Sequence, residues 1–159
     1  MAFVKIWIHA VWATKYRERI LSRQERILLF QHIRENAEKK DIYVDFVNGV
    51  EDHVHCLLRL NADMPISKAI QLIKGESSYW ANKEQLFRKK LHWADEYFAV
   101  SVSESHIERV RNYIRNQEEH HRKKTFMVEY EEFITNYGFH VDSGLKPLSS
   151  DEDTPSTPA

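Results

Sequence analysis

Ile42-Tyr-Val-Asp-Phe-Val-Asn-Gly-Val50-Glu-Asp-His53-Val-His55-Cys-Leu-Leu-Arg-Leu60 is the stretch that decides the fold. Residues 42–50 alternate as a strand does, and residues 52–60 form a second apolar, strand-like run. Only Val50-Glu51-Asp52 connects them, which predicts an antiparallel hairpin. Upstream, Ser22-Arg-Gln-Glu25 is a capping box that opens an amphipathic helix running to about Lys40. Its apolar stripe is expected from Ile27, Leu28, Phe30, Ile33 and Ala37. Residues 3–13, rich in β-branched and aromatic side chains but carrying Lys5 and His9, read as a first strand buried on both faces. Downstream, Pro65 opens a second helix that passes through Ile66, Ile70 and Ile73 towards Phe87, with Gly75 a weak point within it. A fourth strand is expected over residues 97–102, after Trp93. A helix from near Glu104 then carries Ile107, Val110, Ile114 and Gln117. A further short helix around residues 128–137 is stopped by Gly138. The order is β-α-β-β-α-β with helical additions. That predicts an α+β, ferredoxin-like antiparallel sheet with helices on one face and an added C-terminal helix bearing Tyr113.

The bulk properties narrow the class. The chain has 159 residues, enough for one domain with a real core and short for two. That domain is expected over residues 1–143, with residues 144–159 a disordered acidic tail. A formal net charge of −1 argues against a strongly basic nucleic-acid binder. The last eleven residues, however, hold three acids and no base, so the rest of the chain is slightly basic. Local clusters at Lys15-Tyr16-Arg17, Arg88-Lys89-Lys90 and Arg122-Lys123-Lys124 permit nucleic-acid contact, although the favoured reading of any single one is a solvated surface. A single cysteine, Cys56, excludes an internal disulfide and fits a reducing compartment. It alternates with the histidines and so should face away from them. The apolar start is too short to span a bilayer and has no cleavage pattern, so a cytoplasmic protein with no membrane partner is expected.

Two constellations carry chemistry. His53 and His55 share one face of their strand, and paired imidazoles on a rigid strand are a ready-made pair of metal ligands. The plainer alternative is two strand histidines that satisfy local hydrogen bonds. Tyr113 and Gln117 stand one helical turn apart, so both can point into one site. A phenol, with an ordinary pKa of about 10, is a weak nucleophile. It can nevertheless attack a phosphodiester when a cation neutralises the phosphate and orients the leaving oxygen. Here the plainer alternative is a core tyrosine and a solvated glutamine.

Taken in chain order, Val11-Trp-Ala-Thr-Lys-Tyr-Arg17, Val50-Glu-Asp-His-Val-His55, Ile73-Lys-Gly-Glu-Ser-Ser78, Trp93-Ala-Asp-Glu-Tyr-Phe-Ala-Val100 and Val110-Arg-Asn-Tyr-Ile-Arg-Asn-Gln117 resemble the single-tyrosine HUH transposases. That family includes the TnpA-type insertion-sequence transposases and the REP-associated tyrosine transposases. The resemblance implies that His53, His55 and Gln117 hold a divalent cation, Mg²⁺ or Mn²⁺. It implies that Tyr113 is the nucleophile, cleaving and rejoining single-stranded DNA at hairpins through a 5′-phosphotyrosine. A homodimer is expected, with the tyrosine helix acting on its own or its partner's histidines. Lys15, Arg17 and Lys74 are candidates for phosphate contact and Tyr16 for stacking on a base. Asp52 is a candidate to orient one imidazole, or simply a turn residue. The segment after Phe126 suits the REP-associated branch. The alternative function is a non-catalytic DNA-hairpin-binding protein descended from such an enzyme. A histidine-triad hydrolase would want a histidine where Leu57 stands, and a two-histidine phosphoesterase would want two His-x-Ser/Thr motifs.

Overall fold

Side chains that alternate in the sequence separate onto the two faces of a four-stranded antiparallel sheet ordered β2-β3-β1-β4. The strands are β1 (Ile6–Ala13), β2 (Tyr43–Gly49), β3 (His53–Leu60) and β4 (Phe98–Val102). The helices are α1 (Arg23–Glu38), α2 (Ile66–Lys83) and α3 (Ile107–Arg115). The computed structural model describes residues 2–119 together with Val128, Glu132 and Thr135. The chain divides into two compact units, Met1–Glu118 and Glu119–Ala159, and the account below concerns the first. Of the helix expected around residues 128–137, Val128, Glu132 and Thr135 are described, each of them helical. The cluster at 122–124 and the tail from residue 144 lie outside the described residues.

One face of the sheet carries Ile8, Ala10, Trp12, Val44, Val54, Cys56 and Leu58, and it forms the main core with α1 and α2. Cys56 is fully buried there, turned away from the histidines, and burial pushes its thiol pKa up to about 12. The opposite face carries Trp7, His9, Val11, His53, His55 and Leu57, and is covered by α3 through Ile107, Val110 and Ile114. From Trp7 to Ala13 both faces of β1 are therefore buried, which is why that strand has no polar alternation; residues 3–5 lie outside the strand and, with Ile6, are exposed.

Three local expectations are corrected. Ile27 and Leu28, expected in the α1 stripe, are 60% and 51% exposed. The buried stripe is Arg26, Leu29, Phe30, Ile33 and Ala37, a spacing that follows the 3.6-residue helical repeat. Arg26 can sit in it because its guanidinium donates to the Leu21 carbonyl at 3.1 Å and to Glu118 at 2.7 Å. Second, the capping box at Ser22 is not reciprocal with the backbone. The Ser22 hydroxyl instead meets the Glu25 carboxylate at 2.5 Å. Third, α2 stops at Lys83 rather than near Phe87. Gln85 turns left-handed (φ 52°), and the Leu86 amide closes back onto the Ala81 carbonyl at 2.9 Å, a Schellman-type end.

The β2–β3 hairpin is tight at its base. A Cβ at Gly49 would lie 2.3 Å from the His53 carbonyl oxygen, so only glycine lets β2 pass this close to the first histidine. Further along β2 the register slips between Val44 and Phe46. That bulge at Asp45 presents a carboxylate to α3, where Arg111 binds both of its oxygens at 2.7 Å.

Candidate active site and metal centre

The site is built on the α3 face of the two central strands. His53 and His55 lie two residues apart on β3, both buried, with ring centroids 5.2 Å apart. Each ring is held through Nδ1. His53 Nδ1 lies 2.8 Å from Asp52 Oδ1, and His55 Nδ1 lies 2.9 Å from His9 Nε2 on β1. A carboxylate only accepts, so His53 Nδ1 carries a proton, and in the neutral imidazole that tautomer puts the lone pair on Nε2. Asp52 is in turn braced by Arg17, whose Nη2 stands 3.4 Å from Oδ2.

The tyrosine helix is docked on this face of its own sheet. The half-buried Tyr113 ring lies 5.7 Å from His55 and 6.1 Å from His9, centroid to centroid. Three contacts hold α3 in place: the Asp45–Arg111 pair, the Asn48 amide donating to the Ile114 carbonyl at 2.9 Å, and Arg26 with Glu118 just beyond the helix. α3 ends at Arg115, and residues 117–119 resume helical geometry after Asn116. Gln117 nevertheless stays one turn from the tyrosine. It is 0% exposed, and its Nε2 donates to the Tyr113 carbonyl at 3.4 Å. With Nε2 used in this way, the buried Oε1 has no hydrogen-bond partner among the described residues. A buried amide oxygen without a donor is costly unless a cation or water meets it.

Two imidazoles and one amide oxygen suit a borderline-to-hard divalent cation, and the orphaned Gln117 oxygen fits that group. Among the described residues no group of three or more His, Cys, Asp or Glu side chains could hold a metal.

The remaining expected residues fall elsewhere. After β1 the chain makes a short 3₁₀ turn, Lys15–Arg17, in which Tyr16 and Arg17 are both left-handed (φ 57° and 53°). Such geometry costs roughly 1–2 kcal/mol per non-glycine residue. It is held by Thr14, which is fully buried and whose hydroxyl donates to the Glu18 carbonyl at 2.7 Å. The turn throws Tyr16 out to 80% exposure, with Lys15 Nζ 5.5 Å from its ring. Lys74 is not displayed in the same way. Its half-buried ammonium donates to the Ala94 carbonyl at 2.5 Å and reaches those of Asp95 and Glu96. Burial draws its pKa down, against Asp95 and Glu96, which raise it. Lys74 and Lys15 both line a cavity of about 480 Å³ with His92, Trp93 and Tyr97.

Sequence reasoning missed His9. It was read only as a polar residue in an apolar strand, yet it is 0% exposed and bonded to His55. Burial pushes its pKa down to about 3, so it is neutral at physiological pH. Its signal was available in principle, because a histidine inside a strand buried on both faces must have a partner. Which partner depends on the β1–β3 register, and one sequence does not give that register.

The fold and these side chains together define a ferredoxin-like protein with a His-x-His strand facing a helix-borne tyrosine. The chain belongs to the IS200-like transposase family, whose model matches residues 2–117, and so to a class of DNA-cleaving enzymes. It is 29% identical over 115 residues to the ISDra2 transposase TnpA of Deinococcus radiodurans, covering 69% of this chain and 81% of that protein. It is 25% identical over 114 residues to the transposase for insertion sequence element IS200 of Salmonella typhimurium, covering 69% and 74%. Among solved structures, a Deinococcus radiodurans R1 protein described as a transposase superposes with a TM-score of 0.57 at 24% identity, over 73% of this chain and 93% of that one. A REP-associated tyrosine transposase bound to a REP hairpin superposes with a TM-score of 0.56 at 12% identity, over 96% and 93%. Both superpositions show the shared fold. No described helix is long and apolar enough to cross a membrane.

Proposed function

We propose that this protein cleaves and rejoins single-stranded DNA at hairpins through a 5′-phosphotyrosine formed by Tyr113. The observation that carries the reading is the Tyr113 ring docked against His55, which neighbours His53 on the same sheet face, with Gln117 buried one turn further along from the tyrosine. The known hairpin complex of a protein with this fold supports the choice of substrate.

In the first step Tyr113 Oη attacks the phosphorus, the phenolic proton is lost, and the P–O3′ bond breaks with the 3′-oxygen leaving as a hydroxyl. One phosphoester replaces another, so rejoining by a 3′-hydroxyl needs no nucleotide cofactor. A divalent cation, Mg²⁺ or Mn²⁺, held by His53, His55 and Gln117 would supply charge neutralisation for the phosphate. Asp52 and Arg17 keep His53 in the ligating orientation, and the Asp45–Arg111 pair keeps the tyrosine helix in place. The exposed Tyr16 ring, with Lys15 beside it, is suited to stack on an unpaired base. Residues 1–143 serve as the catalytic domain.

Label polarity tests the reading. With a 3′-labelled hairpin strand, the label should stay covalently on the protein; with a 5′-labelled strand it should leave on a fragment ending in a 3′-hydroxyl. The reverse distribution, or label on neither, contradicts it.

The protein acts as a homodimer with each site made within one chain, because α3 is tied to its own sheet by the Arg111, Asn48 and Arg26 contacts. Mixing a Tyr113→Phe chain with a His53→Ala chain should then restore no cleavage in verified heterodimers. Recovery towards half of the wild-type rate would show sites shared between chains.

A further inference from the structure

We infer that His9 is a positioning residue that fixes the tautomer of His55, holding its Nε2 free of a proton for the cation. This rests on the metal-centre reading above and adds to it a residue outside the His-x-His motif and outside the tyrosine helix. His9 pairs in register with Leu57, while His55 pairs with Val11, so the two histidines are diagonal neighbours on one face of β1 and β3. Their nitrogens, His9 Nε2 and His55 Nδ1, are 2.9 Å apart and deeply buried, so one must donate to the other. If His9 donates, His55 must carry its proton on Nε2 and cannot ligate. If His9 accepts, His55 Nδ1 is the donor and Nε2 presents a lone pair. Only the second arrangement gives a competent site.

The first histidine shows the same design with a different partner. His53 donates through Nδ1 to Asp52, leaving Nε2 as the ligating atom. At His55 the group that meets Nδ1 is His9, which supplies the acceptor from the neighbouring strand. A neutral acceptor adds no negative charge, which leaves the site favourable to a phosphate. Packing alone does not explain a histidine here. Position 9 has Trp7 and Val11 two residues either side on its own strand and Val100 opposite on β4, surroundings that an aliphatic side chain would satisfy.

Two variants and two readouts test this on the whole chain. His9→Leu removes the acceptor; His9→Gln keeps one, because the carboxamide Oε1 can occupy the position of imidazole Nε2. Histidine ¹⁵N chemical shifts of the metal-free protein should show His55 protonated at Nδ1 in the wild type and in His9→Gln, and shifted towards the Nε2–H form in His9→Leu. Mn²⁺ affinity should fall about 10- to 100-fold in His9→Leu, the usual cost of losing an outer partner of a metal ligand, and only a few-fold in His9→Gln. Wild-type His55 protonated at Nε2, or equal Mn²⁺ affinity for wild type and His9→Leu, would overturn the inference. Equal loss in both variants would also overturn it, since that marks a packing role. A wild-type protein that binds no Mn²⁺ would instead remove the metal-centre reading, and the shifts of the metal-free protein would still decide the tautomer.

Discussion

Tyr113→Phe should abolish strand cleavage while hairpin binding stays within a few-fold of wild type. The substitution deletes one oxygen from a half-buried ring and keeps the ring that packs against His55 and His9, at centroid distances of 5.7 and 6.1 Å. Stability should change little, because the ring stays and α3 keeps its anchors at Asp45, Asn48 and Arg26. The catalytic effect is of another size. Removing the nucleophile of a covalent mechanism costs on the order of 10⁴-fold or more. Cleavage assays and hairpin-binding titrations on the same preparation separate the two. Parallel loss of binding would mean that the tyrosine organises the surface rather than the chemistry.

His55→Ala should have a comparable effect on cleavage by another route. It removes one of two imidazoles and with it the buried 2.9 Å hydrogen bond to His9 Nε2. Losing that bond should cost about 1–3 kcal/mol, which a domain with roughly 5–15 kcal/mol of stability survives. Loss of a direct ligand should weaken Mn²⁺ binding by more than the about 10- to 100-fold expected when an outer partner is lost. Mn²⁺ titration and a thermal melt check the pair of expectations. A variant that aggregates or melts without a transition would make His55 a core residue first, and a variant with unchanged Mn²⁺ affinity would remove it from the metal centre.

Much of this was legible in the chain because the strongest signals were periodic. The alternation over residues 42–60 gave the hairpin, and the doubly apolar β1 foretold a strand covered on both sides. The parity of His53, His55 and Cys56 correctly put the thiol in the core and the imidazoles on the other face. Less was legible where the outcome depends on partners distant in sequence. Arg26 is buried in the α1 stripe because Leu21 and Glu118 accept from it, whereas Ile27 and Leu28 are left exposed. Lys74 is directed to backbone carbonyls of residues 94–96 rather than displayed, and nothing in its local sequence says so. His9 needed the strand register to find His55. Gln117 reaches back one turn to the Tyr113 carbonyl, although the helix breaks between them at Asn116, which spacing alone does not foretell.

The most direct test of the central claim is a denaturing gel of the full chain after incubation with an internally labelled, hairpin-containing single strand and Mn²⁺. A slow-migrating protein–DNA band that requires the metal, disappears with chelator and is absent in Tyr113→Phe is the expected result. No covalent band on any hairpin strand that the protein binds tightly, or a band that persists in Tyr113→Phe, would contradict it.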